Sequence, residues 1–264
     1  MKYLNRRMVC AALWIAVGSS ASVWADKVTL TNGREIDAKK VQWRESAQEY
    51  RVEMVDGTIL PFPKAQVAQL QIDKPAEYDK AVQMVTAKQF DAAIPLLEGL
   101  VTQFKMLNWD NEARVVLAQA YLGKNDAKKA ASTIDDYMAG VSKADVPLDV
   151  QVLYWRSLLA ADRVSTLKKD LDDVVLSGVR EAAAAAQMMR GNMNRQAGQK
   201  EAAFLDYMRV VNLFKDVKAL PPEALFKAAE LLEEMRDPRA DQLRKRLAVE
   251  YKDSEWAAKL GGRY

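Results

Sequence analysis

The chain contains no histidine, and its one cysteine, Cys10, lies within the first 25 residues. Together these absences remove the commonest general base, the strongest common nucleophile and the usual transition-metal ligands. Ser-His-Asp and Cys-His arrangements are excluded by composition. Disulfides are excluded for everything after Cys10, so packing alone must hold the fold. No glycine-rich loop joins a strand to a helix in the manner of a nucleophile elbow. Paired carboxylates are the remaining route to hydrolysis. The candidates are Asp135-Asp136, Asp170 with Asp172-Asp173, and Glu233-Glu234. Neighbouring residues on a helix point about 100° apart, so these pairs do not converge on one atom, and solvated helix faces account for them. No calcium-loop spacing occurs. The expectation is a chain that is not an enzyme, with no catalytic, cofactor-binding or metal-binding residues. The rival from another class is a His- and Cys-independent hydrolase acting on envelope glycans.

Long apolar runs are also scarce. The one uncharged stretch of note lies between Arg7 and Asp26, 18 residues with a Gly- and Ser-rich second half. It follows Lys2, Arg6 and Arg7 and ends in Val23-Trp24-Ala25, with small residues at the last and third-last positions. This is the pattern of an export signal cleaved after Ala25, with residues 1–25 removed and the remainder in the periplasm. The alternative is a retained inner-membrane anchor, because 18 residues touch the lower limit for a span. Cys10 lies at the start of the apolar core rather than after it, which does not suit a lipoprotein site. A net charge of one sign is missing too. Lys2, Arg6 and Arg7 are three of the 39 Lys+Arg, so the rest carries 36 against 36 Asp+Glu. That balance offers no basic surface for nucleic acid.

Residues 26–74 alternate with a period of two. Val28-Thr29-Leu30 runs into Asn32-Gly33, read as a two-residue hairpin, and Asp56-Gly57 is a second such turn. Ile36, Val41 and Trp43, then Tyr50, Val52 and Met54, then Ile59 to Pro63 and Val67 to Ile72 complete five strands. The stretch resembles SH3-like and Sm-like modules, which implies a small β-barrel or curled sheet. Lys39-Lys40-Val41-Gln42-Trp43-Arg44 offers a basic aromatic platform on it, or else Trp43 is a core residue.

From Pro75 the apolar spacing becomes three and four, and residues 75–264 read as helices. Turns are expected at 105–108, 124–126, 140–147, 177–178, 197–199, 220–222 and 237–238. Lys88-Gln89-Phe90-Asp91-Ala92-Ala93 resembles Asn125 to Ala130 and Gly198 to Ala203. Ala93 and Ala130 are 37 residues apart, Ala203 and Ala240 are 37 apart, and the skipped step falls at Leu167. Five helical hairpins fit, the third degenerate. Leu117, Ala118, Tyr121 and Ala130 in the second unit, and Gly191, Gly198, Ala203 and Tyr207 in the fourth, resemble the tetratricopeptide family. The period exceeds that family's usual 34, and its consensus proline is missing. The resemblance implies a mainly α fold, a right-handed solenoid of about five hairpins, that binds a protein rather than transforming a substrate. Tyr251 to Ala257 resembles the capping turn of such arrays.

The resemblance also implies that the first helix of each hairpin lines a groove. That lining would include Tyr78, Val82, Val115, Gln119, Arg156, Met188, Asn192 and Arg195, with Arg156 and Arg195 suited to a partner's carboxylate. The run Ala182 to Ala186 with Met188, Met189 and Met193 reads either as close-packed core or as an adaptable groove. The function expected is therefore an exported periplasmic adaptor or scaffold, in cell-envelope assembly or secretion. A self-associating structural protein is the alternative. Partners would be proteins, a homo-oligomer included, with membrane contact only by association or through an uncleaved signal.

Overall fold

A computed structural model describes residues 26–261, so the segment read as an export signal lies outside the described residues. These residues form two compact units, which divide between Asp73 and Lys74.

The first unit is one antiparallel sheet of β1 (Asp26–Leu30), β2 (Glu35–Arg44), β3 (Glu49–Met54), β4 (Ile59–Pro63) and β5 (Val67–Gln71). Its strand order is β4-β3-β2-β1-β5, with β4 and β5 at opposite edges. The sheet is therefore open, which decides between barrel and sheet in favour of the sheet. Within β2 the apolar positions change parity, from Ile36 and Ala38 to Val41 and Trp43. A bulge between Ala38 and Lys40 absorbs the change and keeps them on one face. There Val28 stands opposite Ile36 and Leu70, and Val41 opposite Val52. Val28, Ala38 and Val52 are fully buried on that face.

Both hairpins correct the two-residue expectation. Leu30 N–H donates to Arg34 O (2.8 Å) and Gly33 N–H to Leu30 O (2.9 Å), so the loop holds Thr31, Asn32 and Gly33. Met54 N–H to Thr58 O (2.8 Å) and Gly57 N–H to Met54 O (3.0 Å) repeat the pattern. Only the glycines, at φ 82° and 84°, are left-handed, so each loop is a turn followed by a glycine bulge. Asn32 Oδ1 accepts from Arg34 N–H (3.0 Å) and Asp56 Oδ1 from Thr58 N–H (2.8 Å), which stabilises the turn without a left-handed Asn or Asp.

Edge strand β4 is protected by its prolines. Lys64 N–H donates to Gln48 O, and by alternation Leu60 and Phe62 face β3. Ile59, Pro61 and Pro63 then face outward, and two of these three positions have no N–H to offer a foreign strand.

The second unit is helical. It pairs α1 (Ala76–Thr86) with α2 (Phe90–Gln103), α3 (Trp109–Gly123) with α4 (Ala127–Gly140), and α5 (Leu148–Ala160) with α6 (Val164–Leu176). Then come α7 (Arg180–Gln196) with α8 (Lys200–Leu213), α9 (Leu220–Glu234) with α10 (Arg239–Glu250), and a one-turn α11 (Glu255–Ala258). Five hairpins are present among the described residues, which are mainly helical as expected.

One turn closes all five hairpins. Lys88, Asn125, Asp162, Gly198 and Arg236 each adopt a left-handed φ, between 57° and 74°. Each donates its N–H three residues back, and the residue after it donates five back, as in Gln89 to Met84 (2.8 Å) and Arg163 to Leu158 (2.8 Å). This is a Schellman closure repeated at intervals near 37 residues. Ala93, Ala130, Leu167 and Ala203 follow five residues after it, each buried with no exposed surface. Ala240 comes one residue early, so the fifth hairpin is the irregular one in register, and the third departs only in having Leu167 for alanine. The expected turn at 220–222 is instead the first turn of α9, where Pro221 and Pro222 need no helical N–H partner.

Small residues set the helix spacing. A Cβ added to Gly191 would collide with the Tyr207 ring, and one added to Gly123 with the Phe90 ring. In the fourth hairpin, then, a small residue on one helix receives an aromatic from the next. Ala184 to Met189 are all buried, so the alanine and methionine run is core packing. At the end, Ser254 Oγ accepts from Ala257 N–H (3.1 Å) and Trp256 packs on Phe226 with centroids 5.3 Å apart, closing the last core as a cap does.

Candidate functional site

The first helices carry a column of side chains fixed by the shared turn. Val82, Gln119, Arg156, Asn192 and Glu230 each lie six residues before the left-handed residue of their hairpin. Tyr78, Val115, Val152, Met188 and Phe226 lie four residues earlier still. Seven of the eight residues of the groove reading from sequence lie in these two columns, Arg195 excepted, and the repeated turn puts them in equivalent places. Four of these residues are not gathered at one point. Tyr78 and Val82 lie on α1, where the Tyr78 ring packs at a tilt against Trp109 with centroids 5.2 Å apart. Val115 and Gln119 lie on α3, Val115 packed on the central core and Gln119 exposed.

Arg156, Met188 and Asn192 are brought together. They line a cleft of about 480 Å³ between α5, α7 and α9. Val152, Leu159, Met189 and Leu220 supply apolar wall, and Glu223 and Lys227 add a polar side from α9. Met188 is 5% exposed, so the methionines serve the core and floor the cleft at once. Asn192 Oδ1 accepts from Tyr207 Oη (2.9 Å) and Lys227 Nζ (2.9 Å), and Lys227 also meets Glu223 (2.8 Å). These bonds hold the cleft wall rigid. Arg156 is exposed, and its side chain makes no hydrogen bond or ion pair among the described residues. The cleft therefore offers one unneutralised cation beside an apolar floor.

Arg195 is placed differently from the sequence expectation of a carboxylate anchor. Its guanidinium donates to Glu230 (2.9 Å) and Glu234 (2.6 Å), and Glu234 also meets Lys200 (3.1 Å). The Arg195 and Lys200 bonds hold the Glu234 carboxyl below its usual range. A partner's carboxylate would have to displace two that the chain already supplies. Val152, Leu220 and Lys227 were missed in the sequence. Val152 occupies the same column as Met188 and was recoverable from the turn at Asp162. Leu220 and Lys227 come from α9, whose start was read as a turn.

The acidic clusters pair across helices. Asp135 meets Arg163, Asp170 accepts from Trp155 Nε1 (2.6 Å), and Glu233 meets Arg244. Among the described residues no three metal-ligating side chains converge. Nor is any helix there long and apolar enough to cross a membrane. On the sheet, Lys39 is paired with Glu53 (2.8 Å), and Trp43 lies 4.9 Å from the Tyr50 ring and donates to Glu45 (3.0 Å). Trp43 is half-buried in that packing, which fits a rim of the core better than a basic platform.

No known family model matches the sequence, and no curated protein matches it. Among solved structures the chain is similar to MamA AMB-1, at 14% identity and a TM-score of 0.45, over 68% of this chain and 100% of that one. By its own architecture, the protein is a helical-hairpin repeat preceded by a small open antiparallel sheet.

Proposed function

We propose that this chain is a non-catalytic scaffold that binds another protein along the first helices of its hairpins, with the α5–α7–α9 cleft as the principal anchor. The observation that carries this reading is the cleft itself. It has an apolar, methionine-bearing floor, a rigid polar wall and an exposed Arg156 with no partner. Such a site suits an apolar side chain flanked by a carboxylate. Placement in the periplasm, with a role in envelope assembly or secretion, rests on the residue pattern of 1–25.

A photo-cross-linking residue at Val152 tests the anchor in living cells. A discrete protein adduct is expected there, lost when Arg156→Glu is added and not formed from the exposed Lys245 on α10. Adducts at both positions alike, or none at Val152, would remove the reading. Amino-terminal sequencing of the protein from a periplasmic fraction tests the export, with Asp26 expected as the first residue.

A further inference from the structure

The end of α6 breaks two local rules at one place. Asp170, Asp172 and Asp173 lie in its last two turns, where the helix carbonyls already carry partial negative charge, and no basic residue sits in the last turn. Leu176, three and four residues beyond Asp173 and Asp172 and so on their face, is 84% exposed. Val175 and Val179 beside it are also exposed. Asp172 and Asp173 meet Arg190 and Lys143 only at 3.8 and 3.9 Å, beyond hydrogen-bond reach. A single exposed leucine is ordinary. Asp173 and Val179 line a separate cleft with Lys143, whereas Leu176 and Asp172, one turn apart at the helix end that disfavours carboxylates, form a knob whose local cost calls for a compensating contact.

The α5–α7–α9 cleft is the complement of that knob in apolar character and charge. It has about 480 Å³ of space, an apolar floor for a leucine and the unpaired Arg156 for an aspartate. Leu176 is not part of its lining, so the chain does not fill its own cleft. We propose that the protein assembles head to tail, the Asp172–Leu176 knob of one copy seating in the Arg156 cleft of the next. This rests on the reading of that cleft as a protein-binding site, and adds that a second copy is an occupant. Knob and cleft are different surfaces, so the contact is heterologous and each copy keeps one of each free for extension.

Sedimentation of the protein purified from cells expressing the full chain tests this. The wild type grows in size with concentration. Leu176→Asp and Arg156→Glu each weaken association by about tenfold or more, as loss of a central anchor does. Both positions are exposed, so each variant keeps its fold, and the carboxylate that Leu176→Asp adds at the end of α6 lowers thermal melting only slightly. Mixing the two variants is decisive, because the mixture holds one intact cleft and one intact knob. It should form dimers that grow no further. A wild type that stays monomeric at all concentrations, variants that assemble like wild type, or variants that fail to complement each overturn the proposal. The Val152 cross-link separates the two readings, since an adduct with a different protein upholds the scaffold while monomeric sedimentation removes the self-assembly.

Discussion

At the residue scale, the contact between Gly191 and Tyr207 sets how closely α7 and α8 approach. Alanine is ordinarily the better helix former, by up to about 1 kcal/mol. Here its methyl would enter the space of a fully buried ring that has nowhere to move. Gly191→Ala should therefore destabilise by about 1–3 kcal/mol in chemical denaturation. Shrinking the ring with Tyr207→Leu in the same chain should recover part of that loss, a coupling that additive effects would not give. Tyr207 makes a second prediction. Burial pushes its phenol up to about 12, from an ordinary value near 10. The folded state therefore keeps a proton that the unfolded state loses. The resulting stability is complete below pH 10 and is lost as pH rises through about 12. Tyrosinate absorbance should show a late-titrating component that shrinks in Tyr207→Phe; an unaltered titration would refute it. Tyr121, also pushed to about 12 by burial and its bond to Glu98, contributes to the part that remains, with Tyr78, Tyr137, Tyr154 and Tyr251, which burial also raises. Both tyrosines and Gly191 were legible in the sequence, because small and aromatic residues at fixed offsets from a repeated turn betray close packing. The pairing of Arg195 with Glu230 and Glu234 was not. Those carboxylates come from the next hairpin, and no local pattern reports which arginine of a face finds a partner and which does not.

At the scale of elements, the hairpin turn is better conserved in geometry than in sequence across the five units. Glycine fills its left-handed position only at Gly198; Lys88, Asn125, Asp162 and Arg236 fill the others. This explains which turns could be read. Asn125 and Gly198 announce themselves, whereas Ala161-Asp162-Arg163 contains no glycine, proline or asparagine and was hidden inside an apparently continuous helix. The third hairpin looked degenerate for that reason and because Leu167 stands where the other anchors are alanine, although its backbone closes like the rest. A left-handed backbone costs a long side chain about 1–2 kcal/mol, and glycine gives back up to about 1 kcal/mol through the entropy of the unfolded chain. Lys88→Gly and Arg236→Gly should each stabilise by roughly 0.5–1 kcal/mol on that balance, seen as a higher melting temperature. Asn125→Gly should gain less, since asparagine tolerates the conformation. Equal gains at all three, or losses, would show that the turn does not limit stability. The strands were legible to within a residue or two because alternation is a strong signal. The turn class was not, because Asn-Gly serves both the two-residue loop and the glycine bulge, and the side-chain acceptance by Asn32 and Asp56 decides between them.

At the scale of the molecule, the helical unit has three apolar clusters rather than one. The first is built on α1 to α4, the second runs from α3 to α7 and the third from α7 to α10. Helix α7 belongs to two of them, giving Ala185, Ala186 and Met189 to the middle cluster and Met188 to the last. Neighbour-to-neighbour stabilisation of this kind makes the array a chain of coupled units, so weakening one need not unfold all. Trp155 is the largest fully buried side chain of the middle cluster, and its indole N–H is held by Asp170 at 2.6 Å. Trp155→Ala would open a cavity there and leave the Asp170 carboxylate without its donor, at a cost of about 3–5 kcal/mol. The damage should be local at first. Backbone hydrogen exchange should accelerate in α5 and α6, while amides of α2 and α3 on one side and α8 and α9 on the other keep their protection. The cleft is walled by α5 on one side and α7 and α9 on the other, so this same variant should lose the Val152 cross-link while most of its helices remain folded. Uniform acceleration along the whole unit would show instead that the five hairpins unfold as one, with the middle hairpin as firmly coupled as its neighbours.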